Sequence, residues 1–243
     1  MNRAGTSETT LLELHIETLF ICDAQGDLRF VREPGYEESE LDAAPRFFMG
    51  RSDTENVWRF RHDLPEALRL ELTALCRLEP ISASLHEEPL QAAQLRSALE
   101  RHAPLTEEDR GPAYWIPESA LDTRDAVLVT DKNAHVLEKH FGWKLTSRNS
   151  FRTGTLTASV SDESAVSICY CARLTDDAAE AGVDTVASAR GRGHASRAVA
   201  LWASIIRAQG LTPLYSTSWD NTASQGVARK LGAVRYAETW SVA

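Results

Sequence analysis

Ser188-Ala189-Arg190-Gly191-Arg192-Gly193-His194-Ala195 is the stretch whose reading decides the fold. A strand-like run, residues 179–187, leads into it, and a helix begins directly behind it. Gly191 and Gly193 let the backbone approach a ligand with no Cβ in the way. The helix adds unpaired N–H groups and the positive end of its dipole, so the loop has the chemistry of a phosphate site. Ala195, Ala198, Val199, Trp202, Ile205 and Ile206 form an apolar stripe, with Arg197 and Arg207 off it and Gly210 as the stop. That pattern predicts a helix packed on a sheet.

Upstream, residues 156–160, 165–173 and 179–187 read as three antiparallel strands, separated by the polar turns 161–164 and 175–177. Before them, Thr130 or Asp131 is expected to cap a short helix that turns Val136, Leu137, His140 and Phe141 inward. Downstream, residues 213–219 read as a strand, Asp220 or Asn221 as the cap of a helix running to Lys230, and Gly232 as its end before a last strand.

The ordered pair Arg190-x-x-Gly193-x-Ala195, then Asn221-Thr222-Ala223-Ser224-x-x-Val227-Ala228-x-Lys230-Leu231-Gly232-Ala233, resembles the GNAT superfamily of acyl-CoA N-acyltransferases. The likeness covers about the last 130 residues, most tightly from Glu180 onwards. It implies a mixed α/β (α+β) fold, mostly antiparallel with flanking helices, and transfer of an acetyl group from acetyl-CoA to a primary amine by direct attack on the thioester. By the same resemblance, Val186 and Ala187 face pantetheine, and Arg190, Gly191, Arg192, Gly193, His194 and Ala195 surround the pyrophosphate. Asn221 and Ser224 then lie beside the pantetheine arm.

Amine acylation needs the acceptor ammonium deprotonated and the thioester carbonyl positioned and polarised. Glu180, ten residues before Arg190, lies on the strand that carries a general-base carboxylate in many members of the superfamily; Asp184 shares its face by the two-residue period and competes for the role. The superfamily's general-acid tyrosine falls where this chain has Ala228. Tyr215 and Tyr236 are the available substitutes, and the sequence does not name either as the acid. No metal is implied, because the histidines lack the spacing of His-Glu-x-x-His ligands.

Residues 106–243 are therefore expected to form the acyltransferase domain, and residues 1–105 an N-terminal α/β domain that shapes the substrate site or is a degenerate copy of the same fold. In that half, residues 11–22 and 28–32 read as a hairpin around the turn Asp23-Ala24-Gln25-Gly26-Asp27. Residues 57–61 read as a strand with a basic face, where Trp58, Arg59 and Arg61 flank an acceptor cleft or simply pack on one side. Asp63 is expected to cap a helix buried through Leu64, Leu68, Leu72, Leu75 and Leu78, and a second helix is expected over residues 89–102. The polar stretch 106–111 reads as the domain boundary.

Among 243 residues, 43% hydrophobic and 25% charged are ordinary globular values, and a net charge of −9 argues against a surface built for nucleic acid. No run of about 18 apolar residues predicts a membrane span, and the polar start is unlike a secretory signal, so the cytoplasm is the expected compartment. Cys22, Cys76, Cys169 and Cys171 lack Cys-x-x-Cys spacing and read as free thiols. The expected partners are acetyl-CoA and an amine-bearing small molecule or peptide, with the chain a monomer or homodimer.

Two other readings compete. A dinucleotide site lacks its third glycine and the acidic residue about 20 positions on. A non-catalytic acyl-CoA-binding sensor keeps the loop without the chemistry, and the alanine at 228 is its motive.

Overall fold

The computed structural model describes residues 10–82, 84–118 and 122–243. One nine-stranded sheet organises them, in the order β4-β3-β11-β5-β10-β9-β8-β7-β6. The strands are β3 (Phe47–Arg51), β4 (Asn56–Phe60), β5 (Glu108–Trp115), β6 (Ala126–Leu128), β7 (Leu156–Ser161), β8 (Ser164–Leu174), β9 (Ala178–Thr185), β10 (Thr212–Ser216) and β11 (Val234–Val242). A small separate hairpin joins β1 (Phe20–Cys22) to β2 (Leu28–Val31). Every pairing in the large sheet is antiparallel except β9 with β10. The mixed, mostly antiparallel sheet flanked by helices is thus the architecture the sequence predicts.

Helices cover both faces. On one lie α2 (Glu66–Leu78), α3 (Ala92–His102), α6 (His194–Ala208) and α7 (Thr222–Lys230). Trp202, Ala198, Val199 and Ile206 of α6 interlock with Cys169, Cys171, Ala179 and Ala181 of the sheet, while Leu72, Leu95 and Leu99 of α2 and α3 enclose Phe47, Met49 and Trp240. All these side chains are buried, which is the dominant favourable term in folding. The other face carries α1 (Leu11–Leu19) against Phe48, Ala113 and Ala237, and the short helices α4 (Glu138–Phe141) and α5 (Trp143–Thr146) beside Ile168 and Tyr170.

Several expectations change. Residues 11–19 are helical: the Thr10 hydroxyl accepts from the Glu13 N–H, and Leu12 and Ile16, four apart, share the buried stripe, so only β1 and β2 remain of the expected hairpin. Asp63 does not cap α2; its carboxylate accepts from the Arg61 guanidinium, and Pro65 stands at the cap. Leu78, expected inside, is 66% exposed, and His140 also faces outward.

The largest correction concerns the polar stretch 106–111, which opens β5 and lies in the middle of the sheet. Its charges are satisfied from afar: Arg96 and the Trp240 indole bind Glu108, and Arg110 binds Glu238. Strands from both sides of position 105 share the sheet, since β3 pairs with β11 and β11 with β5.

Candidate active site

The parallel ladder between β9 and β10 runs only from Ala178↔Thr212 to Glu180↔Leu214, yet β9 continues to Thr185. The two strands part beyond that point. Ser216, the next residue positioned to extend the ladder, gives its N–H to a carboxylate oxygen of Glu180 instead, at 2.6 Å, and its hydroxyl donates to the same oxygen at 2.6 Å. Glu180 thus sits at the apex of the opening, 5% exposed, on the face that carries α1.

A cavity of about 520 Å³ fills the divergence. Val183, Asp184 and Thr185 line it from β9, Tyr215 from β10, Ala189 through Gly191 and Gly193 through Ser196 from the loop and α6, and Asn221 through Ser224 from α7. Gly191 and Gly193 adopt φ of +75° and +84°, the left-handed region that a side chain disfavours. This turns the loop so that the first N–H groups of α6, which have no partner within the helix, end at the cavity.

Arg197 folds back over the loop, with its guanidinium 3.3 Å from where a Gly193 Cβ would stand. Its Nε is buried with no hydrogen-bond partner, and a buried cationic donor of this kind fits an anion. His194 bonds the Ser159 hydroxyl through Nδ1 at 2.9 Å, and burial followed by the charges of Arg197 and Arg192 lowers its pKa.

Of the residues singled out from sequence, Asp184, Arg190, Gly191, Gly193, His194, Ala195, Asn221 and Ser224 line the cavity. Arg192 is exposed beside it. Val186 packs under β7 and β8 and Ala187 is exposed, so the cavity wall falls on residues 183–185 instead. Asn221 also caps α7, its Oδ1 accepting from the Ser224 N–H at 3.0 Å. Ala228 is wholly buried beneath α6.

Tyr215 was only one of two substitutes on sequence grounds, and its hydroxyl meets the Ser224 hydroxyl at 2.5 Å on the cavity wall. Burial pushes its pKa up to about 12. Sequence reasoning missed Arg197 as a loop residue, and it missed His15 and Ser216 beside Glu180. Arg197 was within reach, being one helical turn past the loop; the other two become neighbours of Glu180 only through the fold.

No group of His, Cys, Asp and Glu able to hold a metal occurs among the described residues, and no described helix is long and apolar enough to cross a membrane. No protein-family model and no curated protein matches the sequence. Solved structures do. An acetyltransferase of the GNAT family from Colwellia psychrerythraea is 16% identical with a TM-score of 0.48, over 76% of this chain and 75% of that one. A GCN5-related N-acetyltransferase-like protein from Streptococcus suis is 13% identical with a TM-score of 0.46, over 85% and 86%. A tandem GNAT protein from the clavulanic acid biosynthesis pathway is 12% identical with a TM-score of 0.46, over 76% and 73%.

Proposed function

We propose that the chain is a GNAT-type N-acyltransferase that carries an acetyl group from acetyl-CoA to a primary amine. The observation that carries this reading is the parting of β9 from β10 at Glu180, directly beside a left-handed glycine loop and the start of α6. The opening thereby runs from an anion-binding end past the Asp184 carboxylate, with Glu180 buried where the strands begin to part.

In this reading the N–H groups of the loop and α6, with Arg190 and Arg197, hold the pyrophosphate, and the pantetheine arm runs along Val183–Thr185 towards Tyr215. Glu180 and Asp184 are the groups available to take the proton of the acceptor ammonium. Tyr215 is not a strong acid here. A phenol held at about 12 does not readily give its proton to a thiolate whose conjugate acid ionises near ~8.5. It can donate a hydrogen bond and stabilise the charge that develops on sulfur.

The test is calorimetric titration with acetyl-CoA, beside Arg190→Ala and Gly193→Trp. Micromolar binding that both variants weaken supports the site; no heat and no thermal shift with any acyl-CoA overturns it. Turnover with a panel of amines then separates an enzyme from a sensor, the second reading favoured by the buried Ala228. Glu180→Gln serves as the catalytic control.

A further inference from the structure

The opposite side of Glu180 belongs to the N-terminal helix. His15 of α1 is wholly buried and its Nε2 stands 3.4 Å from the second carboxylate oxygen of Glu180. Neither ring nitrogen of His15 nor that carboxylate oxygen has a hydrogen-bond partner. The Tyr236 hydroxyl, also buried and unpartnered, belongs to a ring set edge-on to His15 at 6.0 Å between centroids. Tyr236 reaches this place because β11 carries an irregularity against β5 between Arg235 and Ala237, and a bulge of that kind re-aims a side chain.

Burying a carboxylate with an unsatisfied oxygen destabilises the fold. A leucine at position 15 would continue the apolar stripe of Leu12 and Ile16, but would leave that oxygen facing hydrocarbon. The polar groups that face His15 are Glu180 from β9 and Tyr236 from β11; Arg173 of β8 stands opposite Glu180 in the ladder. On the other side of Glu180, Ser216 is half-buried, and its hydroxyl donates to the carboxylate oxygen that His15 does not face.

We propose that Ser216, Glu180 and His15 form a proton path through the apex of the cleft, with Ser216 the residue that touches the acceptor and His15 the positioning partner that holds the proton. The proposal rests on the acyltransferase reading and assigns its base. The acceptor ammonium gives a proton to the Ser216 oxygen while the Ser216 proton passes to Glu180, and Glu180 shares it with His15 Nε2. The freed nitrogen pair attacks the thioester carbonyl; the C–N bond forms, the C–S bond breaks with its electrons on sulfur, and the thiolate takes the second proton from nitrogen, so that the neutral amide and the coenzyme thiol leave. The N-terminal helix is then a working part of the site.

The first measurement needs no coenzyme. In protein labelled with ¹⁵N-histidine, His15→Gln identifies the His15 imidazole, whose ring ¹⁵N shifts are compared at one fixed pH in wild type, Glu180→Gln and Ser216→Ala. The path predicts that both substitutions displace the His15 ring ¹⁵N shifts, Glu180→Gln the more. Unmoved shifts in both variants overturn it.

The second uses any amine that turns over. Ser216→Ala lowers kcat about a hundredfold, Ser216→Thr restores most of it, and His15→Gln shifts the acid limb of the kcat/KM profile while leaving the acetyl-CoA Kd unchanged. His15→Asn replaces it if the glutamine variant does not fold. A wild-type profile in a folded His15 variant sinks the path and leaves the acyltransferase reading intact. Absence of acetyl-CoA binding sinks that reading and with it the proton path, whatever coupling the ¹⁵N shifts show.

Discussion

The two sides of the β9–β10 cleft are assembled in opposite ways. The side proposed for the coenzyme is nearly contiguous: residues 183–196 supply strand, loop and helix start, and residues 215–230 supply the facing wall. The side proposed for the acceptor collects His15, Ser216 and Tyr236 around Glu180, and depends on β5 lying between β10 and β11. A phosphate cradle needs only local backbone geometry, whereas a buried carboxylate needs partners from wherever the fold can bring them. Damage to the N-terminal strands should therefore reach the acceptor side and spare the loop.

The strongest way to break that contrast is Arg51→Met. Arg51 of β3 is buried and binds Glu238 of β11 at 2.5 Å and Glu79 beyond α2 at 3.0 Å, while Arg110 of β5 holds the other oxygen of Glu238. Removing one partner leaves two buried carboxylates under-neutralised, a loss of about 4 kcal/mol and about 10 °C in Tm. The acetyl-CoA Kd, measured well below the transition, should change less than twofold. A Kd that weakens tenfold in the folded variant would show that the loop is not autonomous.

Lys144 offers a pH-dependent version of the comparison, because it too is a polar group buried on the α1 face. Its ammonium lies 3.3 Å from the Tyr170 ring centroid and donates to the Asn149 carbonyl. Burial lowers its pKa to about 8 from 10.5. Between those values the unfolded chain binds more protons, so this contribution is fully present above 10.5 and is lost as the pH falls towards 8. The difference is about 3 kcal/mol. Thermal melts from pH 7.5 to 10.5 should show wild type gaining on Lys144→Met as pH rises; parallel curves would refute the assignment.

A smaller effect separates loop geometry from ligand contact. Gly193 and Gly210 share a φ of +84°, and each alanine substitution costs about 1–2 kcal/mol in backbone strain. Only Gly193→Ala should also weaken acetyl-CoA, by about tenfold, since Gly210 lies at the far end of α6 with nothing near its missing Cβ. Equal affinities in the two variants would remove the glycine loop from the site.

The same contrast explains what could be read in the chain. The loop, the stripe of α6 and the cap at Asn221 are local patterns, and each was legible. The strand β5 was not, because Glu108, Asp109, Arg110 and Gly111 read as a linker until Arg96, Trp240 and Glu238 are folded against the charges. Helix α1 reads as a strand in the sequence because Leu11, Leu12, Leu14, Ile16 and Leu19 suit either period, and only the Thr10 cap and the packing on Phe48 and Ala237 decide between them. His15 carried no motif at all; its meaning comes from standing 3.4 Å from a residue 165 positions later.

Asn221 is where the local reading is easiest to mistake for a ligand contact, and a pair of variants separates the two roles. Its Oδ1 already accepts from the Ser224 N–H, so Asn221→Ala should cost about 1 kcal/mol through the lost cap alone. Asn221→Ser keeps a capping acceptor but is too short to reach a pantetheine arm across the cavity. If stability returns in the serine variant while acetyl-CoA affinity stays several-fold weaker, Asn221 both caps α7 and touches the coenzyme. If affinity returns with stability, the residue acts on the cofactor side only by fixing the start of α7, and the adjoining Ser224–Tyr215 pair, bonded at 2.5 Å, is the polar contact left on that wall.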